Sequence, residues 1–268
     1  MKNAKFYKNE IELIDFHSHI IYGVDDGAKD EEMTVKMLKT AIENGTKRIV
    51  ATPHFLKGNF TVNYGEINIR VEEIKELVNR NNLQIEVYCG QEVYYTNYIL
   101  DMYKSGDIGT INNSRYMLIE LPMGDFNIGK VIDNIYELQI KGIIPILAHP
   151  ERYQKLIKKP ELINMFVNEG FLAQLNIGSI MGNFGKAVRK TAEIFVNNRI
   201  YSVIGSDAHG VEERTTDIKL GILEIDKLQQ GYMLDIHQAG ENILNNEETN
   251  FLGQPIKKKN VLSRLLRK

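Results

Sequence analysis

Residues 11–19 read IELIDFHSH, in which IELIDF (11–16) has the character of a β-strand and two histidines, His17 and His19, close it. The same sentence recurs along the chain. KRIVATP is followed by His54, IIPILA by His149 and YSVIGSDA by His209. Four separate apolar runs thus place a histidine at or just past their C-terminal end, the edge that forms the active-site face in parallel α/β folds. Between the runs lie helical patterns. In residues 29–45 Met33, Met37, Leu38, Ala41 and Ile42 keep one face, Asp30 suits an N-cap and Gly45 a C′ position. Further strands are read at 84–90, 115–121 and 171–177, with helices at about 64–79, 97–104, 129–141, 160–169, 185–198 and onward to Asn246. About seven strand-then-helix repeats predict a mainly parallel sheet with helices outside it. The 268 residues match an α/β barrel of roughly 250 residues, and the absence of a linker predicts one domain.

Composition narrows the function. The chain is 43% hydrophobic and 25% charged, enough apolar content to fill a core. A net charge of −2 gives no general pull toward nucleic acid or an anionic membrane. The single cysteine, Cys89, excludes an internal disulfide framework and any multi-cysteine zinc site. Charges run through the N-terminal segment where a signal peptide would be apolar, and no stretch reaches the length of a membrane span. These features predict a cytoplasmic protein that is not integral to a membrane. Residues 256–268 carry six cations and no acid, which leaves the rest of the chain at −8.

The spacings carry chemistry. His17 and His19 are i and i+2 on a strand and project from one face. Asp207-Ala208-His209 repeats the arrangement with a carboxylate. Glu92 follows a strand end, Glu120 lies in the apolar run MLIEL, and Asp26 belongs to the turn VDDG at the same rim. Each alone has a bland reading as a hydrogen-bonded histidine, an ion-paired acid or a turn residue. Together, five histidines and four acids at the ends of five or six strands predict a polynuclear metal site. His237, within a helical stretch, is assigned to the fold. The mixed donors suit manganese, iron or zinc over magnesium or calcium. Three divalent ions against four acids would leave about +2, which complements a phosphomonoester of charge about −1.5 to −2 and points to its hydrolysis. A cysteine phosphatase loop would need arginine six residues after Cys89, where Tyr95 stands. Residues 124–130, GDFNIGK, match half of a P-loop, but Val131 replaces the hydroxyl that would hold magnesium.

His17-Ser18-His19, the VDDG turn, Thr52-Pro53-His54, Gly90-Gln91-Glu92, Ile119-Glu120, Ala148 to Arg152 and Ser206 to His209 together resemble the PHP (polymerase and histidinol phosphatase) superfamily. Their order is similar to that of its bacterial protein-tyrosine phosphatases of capsule and exopolysaccharide operons, the CpsB/YwqE type. The resemblance covers about Ile14 to Arg214. It implies a distorted (β/α)7 TIM-like barrel, here residues 14–250, with 1–13 as an N-terminal extension and 251–268 as a basic tail. It implies three divalent metal ions, usually Mn2+, held by His17, His19, Asp26, His54, Glu92, Glu120, His149, Asp207 and His209. Arg152 and Arg214 fall on the family's phosphate-binding positions and join Asp207 and His209 as catalytic residues. The implied reaction is direct attack of a metal-bridging hydroxide on phosphotyrosine in the tail of a membrane-associated tyrosine autokinase, with no phosphoenzyme. A small-molecule phosphatase of the histidinol phosphate kind, a metal-dependent exonuclease and a non-catalytic scaffold are the alternatives. The −8 charge outside the tail argues against tracking nucleic acid.

Overall fold

In a computed structural model, which describes residues 12–257, the alternation becomes a closed parallel arrangement. The strands are β1 (Leu13–Ser18), β2 (Thr46–Ala51), β3 (His54–Phe55), β4 (Glu86–Cys89), β5 (Glu92–Tyr94), β6 (Tyr116–Glu120), β7 (Ile144–Ala148), β8 (Leu172–Asn176) and β9 (Val203–Gly205). Two sheets are formed, in the orders β1-β2-β4 and β3-β5-β6-β7-β8-β9, with every strand pair parallel. The sheets are one surface interrupted. Thr52-Pro53 separates β2 from β3, because Pro53 has no N–H to give the ladder. Gly90-Gln91 separates β4 from β5 at the same level. Counting each broken strand once gives seven among the described residues. The ring closes where Ser18 bridges Ala208; His19 N–H donates to the Ala208 carbonyl at 2.9 Å and Asp207 N–H to the His17 carbonyl at 2.7 Å.

The helices are α1 (Glu31–Glu43), α2 (Tyr64–Arg80), α3 (Ile99–Ser105), α4 (Ile128–Ile140), α5 (Gln154–Lys158), α6 (Ile163–Asn168), α7 (Ile177–Met181), α8 (Lys186–Asn197), α9 (Lys219–Leu228) and α10 (Tyr232–Leu244). Their starts follow from side chains that compete for the first free N–H groups. Asp30 accepts from Met33 N–H at 2.8 Å, as expected, and Gly45 takes the left-handed conformation past the end of α1. On β6 and β7 period-two alternation sends Met117, Ile119 and Leu147 outward against Ile128, Val131, Ile135 and Leu138 of α4. Leu118 and Ile146 turn to the opposite face and join Phe16, Val50, Leu172 and Val203, with Ile243 and Leu244 of α10 completing that cluster.

Several expected boundaries move. β1 runs on through Ser18, so His17 lies inside the strand rather than after it. The helix expected over 160–169 begins as a 3₁₀ turn at Pro160–Leu162, and only Ile163–Asn168 is α-helical. The final helical stretch breaks before Gly231, which sits at φ +80°. At the other end Phe251, Leu252 and Ile256 pack on the core, and Asn164 exchanges two hydrogen bonds with the backbone of Ile256. Most of the N-terminal extension, and the tail from residue 258, lie outside the described residues.

Candidate metal centre

All nine sequence-selected donors gather where the strands end. His17 Nε2 and His19 Nε2 face each other at 3.1 Å. Glu92 Oε2 stands 3.1 Å from the first and 3.4 Å from the second, and Asp207 Oδ1 lies 3.5 and 3.4 Å from them. The ring nitrogens behind decide what these atoms carry. His17 Nδ1 meets Gln174 Oε1 at 3.1 Å, and His19 Nδ1 meets Asp25 Oδ2 at 2.7 Å. Both partners are acceptors, so both Nδ1 atoms bear the hydrogen and both Nε2 atoms present lone pairs in the neutral rings. Two imidazole lone pairs and two carboxylate oxygens therefore point at one another in a fully buried space. Such a set repels itself unless a metal ion, or a proton on each ring, lies among it.

Two further groups share members with the first. His19, Asp26, His54 and His209 form one: His54 Nε2 and His209 Nε2 lie 3.6 and 3.4 Å from Asp26 Oδ1. His54, Glu92 and Glu120 form another, with His54 Nδ1 2.9 Å from Glu92 Oε2. His149 belongs to none of the three, yet its Nε2 is 2.9 Å from Glu92 Oε1 and 3.7 Å from Glu120 Oε1. Glu92 Oε2, His149 Nδ1 and His209 Nε2 are buried without a hydrogen-bond partner. Orphaned donors of these types fit metal ions.

The field is strongly polarised. Burial opposes ionisation of Glu92 and Asp207, yet His17 and the surrounding imidazoles hold both well below the usual carboxylate range. Burial alone would lower His19, but the Asp25 carboxylate lifts it well above an ordinary histidine. Glu120 is pushed up to about 9 by burial and then by Glu92 and Asp207, against a lesser pull from Arg152 and His19. With no metal ion among them, the buried carboxylates are met by protons on His17 and His19, both raised by their acidic neighbours, and a bound cation would take that place.

The two arginines converge on one acid. Arg152 Nη1 donates to Asp207 Oδ2 at 2.8 Å and Arg214 Nη2 lies 2.6 Å from Asp207 Oδ1. The Arg152 guanidinium also lies 4.4 Å over the Phe184 ring. His149, Asp207 and Arg214 have φ of +32°, +52° and +47°. Left-handed backbone in three non-glycine residues of one site is strain held by the surrounding fold. Gly205 is required beside them, because a Cβ there would stand 2.4 Å from His17 Cβ.

Sequence reasoning missed the residues behind the donors. Asp25 also accepts from the backbone of His54 and Gly27, while attention went to its neighbour Asp26. Gln174 and Asn176 alternate on β8, where Asn176 Nδ2 donates to Asp207 Oδ2 at 2.6 Å. Two polar residues at i and i+2 in the apolar run FLAQLNI were the available signal. His237 lies on α10 beside Glu241, outside the cluster. Cys89 is buried, and burial pushes its thiol up to about 11. In GDFNIGK, Asn127 caps α4 by accepting from Lys130 N–H at 3.1 Å.

Residues 13–245 match the model of the family described as capsular polysaccharide synthesis, CpsB/CapC. The chain belongs to the CpsB/CapC family. It is 34% identical over 207 residues to CapC of Staphylococcus aureus, covering 77% of this chain and 81% of that protein. It is 30% identical over 207 residues to the tyrosine-protein phosphatase CpsB of Streptococcus pneumoniae, covering 75% and 85%. A crystal structure from work on YwqE of Bacillus subtilis and CpsB of Streptococcus pneumoniae, described as metal-dependent tyrosine phosphatases, matches with a TM-score of 0.85 at 27% identity. That match covers 92% of this chain and 100% of the other. An amidohydrolase of Mycoplasma synoviae at 13% identity and TM-score 0.55 shares the fold. The expected α/β barrel class and the CpsB/CapC kinship are both confirmed.

Proposed function

We infer that this CpsB/CapC-family chain is a metal-dependent protein-tyrosine phosphatase of capsular or exopolysaccharide synthesis. The observation that carries the reading is the set of buried lone pairs from His17, His19, Glu92 and Asp207 directed at one another. The names borne by its relatives support the substrate. Three donor groups built from His17, His19, Asp26, His54, Glu92, Glu120, Asp207 and His209, with His149 beside Glu92, would hold three divalent ions, and nitrogen with oxygen donors favours Mn2+, Fe or Zn. Bound ions would supply activation of water and neutralisation of the transferring phosphoryl group.

The chain's own residues do the rest. Arg152 and Arg214, now on Asp207, present planar donor forks suited to phosphate oxygens. Asp25 and Gln174 fix the ring orientation of His19 and His17, so the donor set is preorganised. Water adds to phosphorus, the bond from phosphorus to the phenolic oxygen breaks, and tyrosine and inorganic phosphate result. A phenol of pKa about 10 leaves without a strong general acid. No cysteine intermediate is needed, and Cys89 stays a neutral buried thiol.

We propose the phosphotyrosine tail of a membrane-associated tyrosine autokinase as the partner. No helix among the described residues is long and apolar enough to cross a membrane, which suits a cytoplasmic enzyme that reaches the membrane only peripherally. The test compares a phosphotyrosine peptide, histidinol phosphate and single-stranded DNA with added manganese. Preferred turnover of the peptide is expected. Preferred turnover of either other substrate would replace this reading with the matching alternative, and turnover of none would leave a scaffold.

A further inference from the structure

Two aromatic rings, the first of them buried, separate the metal centre from the protein surface on one side. The Tyr153 ring meets His149 at 6.0 Å on one side and Phe126 edge-on at 5.9 Å on the other. Beyond Phe126 opens a groove of about 970 Å³ between loop 124–127 and the segment 154–165. Phe126, Leu162 and Met165 line it, and Lys155, Lys158 and Lys159 edge it. Lys155 is committed: it pairs with Asp125 at 2.7 Å and lies 5.4 Å over the Phe126 ring. Lys158 and Lys159 are exposed, and neither forms an ion pair among the described residues. The first turn of α4, which also lines the groove, carries no acid. Lys158 also feels Asp125 on the groove wall, an acid already paired with Lys155, and the two adjacent lysines repel each other and gain from a further anion between them. They also stand out against a chain that is −8 outside its tail.

We propose that this groove binds acidic residues flanking the phosphotyrosine of the peptide substrate. The proposal rests on the tyrosine-phosphatase reading above and adds what that site prefers around the reacting residue. The ring path from His149 to Phe126 spans at most about 12 Å, the reach of roughly four extended residues, and the lysines lie beyond it, so the acids are placed about four to six positions from the phosphotyrosine. The apolar lining takes the stems or neighbouring apolar side chains, and the lysines take the carboxylates.

The experiment uses the manganese-loaded full chain and two phosphotyrosine peptides that differ only in Asp/Glu against Asn/Gln within about six residues of the phosphotyrosine. Para-nitrophenyl phosphate, which cannot reach the groove, reports the metal centre. The wild type is expected to favour the acidic peptide about tenfold in kcat/KM at low salt, chiefly through KM, and to lose the preference as salt rises. The double variant Lys158→Glu/Lys159→Glu is expected to abolish or invert the preference while para-nitrophenyl phosphate turnover stays unchanged. Equal rates on both peptides in the wild type, or a preference that survives the double variant, would overturn the groove and leave the phosphatase reading standing. Turnover of para-nitrophenyl phosphate with neither peptide hydrolysed would overturn both. A double variant that loses sedimentation with phosphatidylglycerol vesicles while keeping its peptide preference would reassign the lysines to a membrane and refute the proposal.

Discussion

Asp207 is the residue on which the site turns. It sits at φ +52°, faces two imidazoles and anchors both arginines. Asp207→Asn keeps the shape but removes the charge, and His149→Ala removes a donor beside Glu92. Both are expected to abolish turnover, by at least a hundredfold, with circular dichroism unchanged, because ligands at a barrel mouth are not core packing. Retained full activity in either would count against the site. Asp25→Asn is subtler. It leaves every proposed donor in place but weakens the acceptor that fixes the His19 ring, so metal affinity should fall about 10–100-fold, measured by titrating manganese into stripped protein. Cys89→Ser should leave turnover within twofold, since a thiol pushed up to about 11 is protonated across pH 7–9. An inactive, well-folded serine variant would revive a cysteine mechanism. The nine donors were legible because each is a chemically loaded residue in, at the end of, or in the turn just after an apolar run. Asp25, Gln174 and Asn176 were not, because their contribution is the direction of a second ring or carboxylate, and direction needs coordinates.

At the scale of elements, the turn after β7 shows how the fold holds strain in place. Pro150–Arg152 forms a single 3₁₀ turn following His149. Its buried Glu151 accepts from Asn176 N–H at 3.1 Å on β8 and from Tyr201 at 2.9 Å. Burial, only partly offset by these hydrogen bonds, pushes Glu151 up to about 7 from 4.5. The folded state therefore binds the proton more tightly than the unfolded chain. Its stabilising effect is complete below about pH 4.5 and is lost as pH rises through about 7. Glu151→Gln should remove that loss, so urea unfolding with chelator present should show the variant gaining relative stability between pH 5 and 8, on the order of 3 kcal/mol. A difference independent of pH would show that Glu151 does not titrate in this window. Strand and helix order could be read from periodicity, but β1 was placed two residues early. Hydropathy marks burial, and His17 and Ser18 are buried strand residues of polar type. The short β3 and β5 and the brief α5 and α7 were invisible for a related reason: two to five residues are too few to show a period.

The whole molecule is a ring of strands whose closure and chemistry coincide. β1 meets the segment after β9 through Asp207 and His19, two of the residues that carry the donors. Ions bound there would tie the first strand to the last, so metal should act on global stability as well as on turnover. At a hundredfold excess over Kd, one site adds about 2.7 kcal/mol, or some 5–10 °C in Tm for a chain of this size. Manganese should therefore raise the melting temperature of stripped wild type and fail to do so in Asp207→Asn. Barrel class and seven-fold alternation were visible in the sequence because they are global repeats. The groove beside the site was not, since Lys158 and Lys159 become neighbours of Phe126 only once β6 and β7 lie side by side.

The most direct measurement is elemental analysis of the full chain purified without chelators, followed by stripping and manganese addition with a phosphotyrosine peptide present. Two or three divalent ions per chain, activity lost on stripping and restored on addition, are predicted. A chain that arrives free of bound metal and stays inert when manganese is supplied would contradict the account.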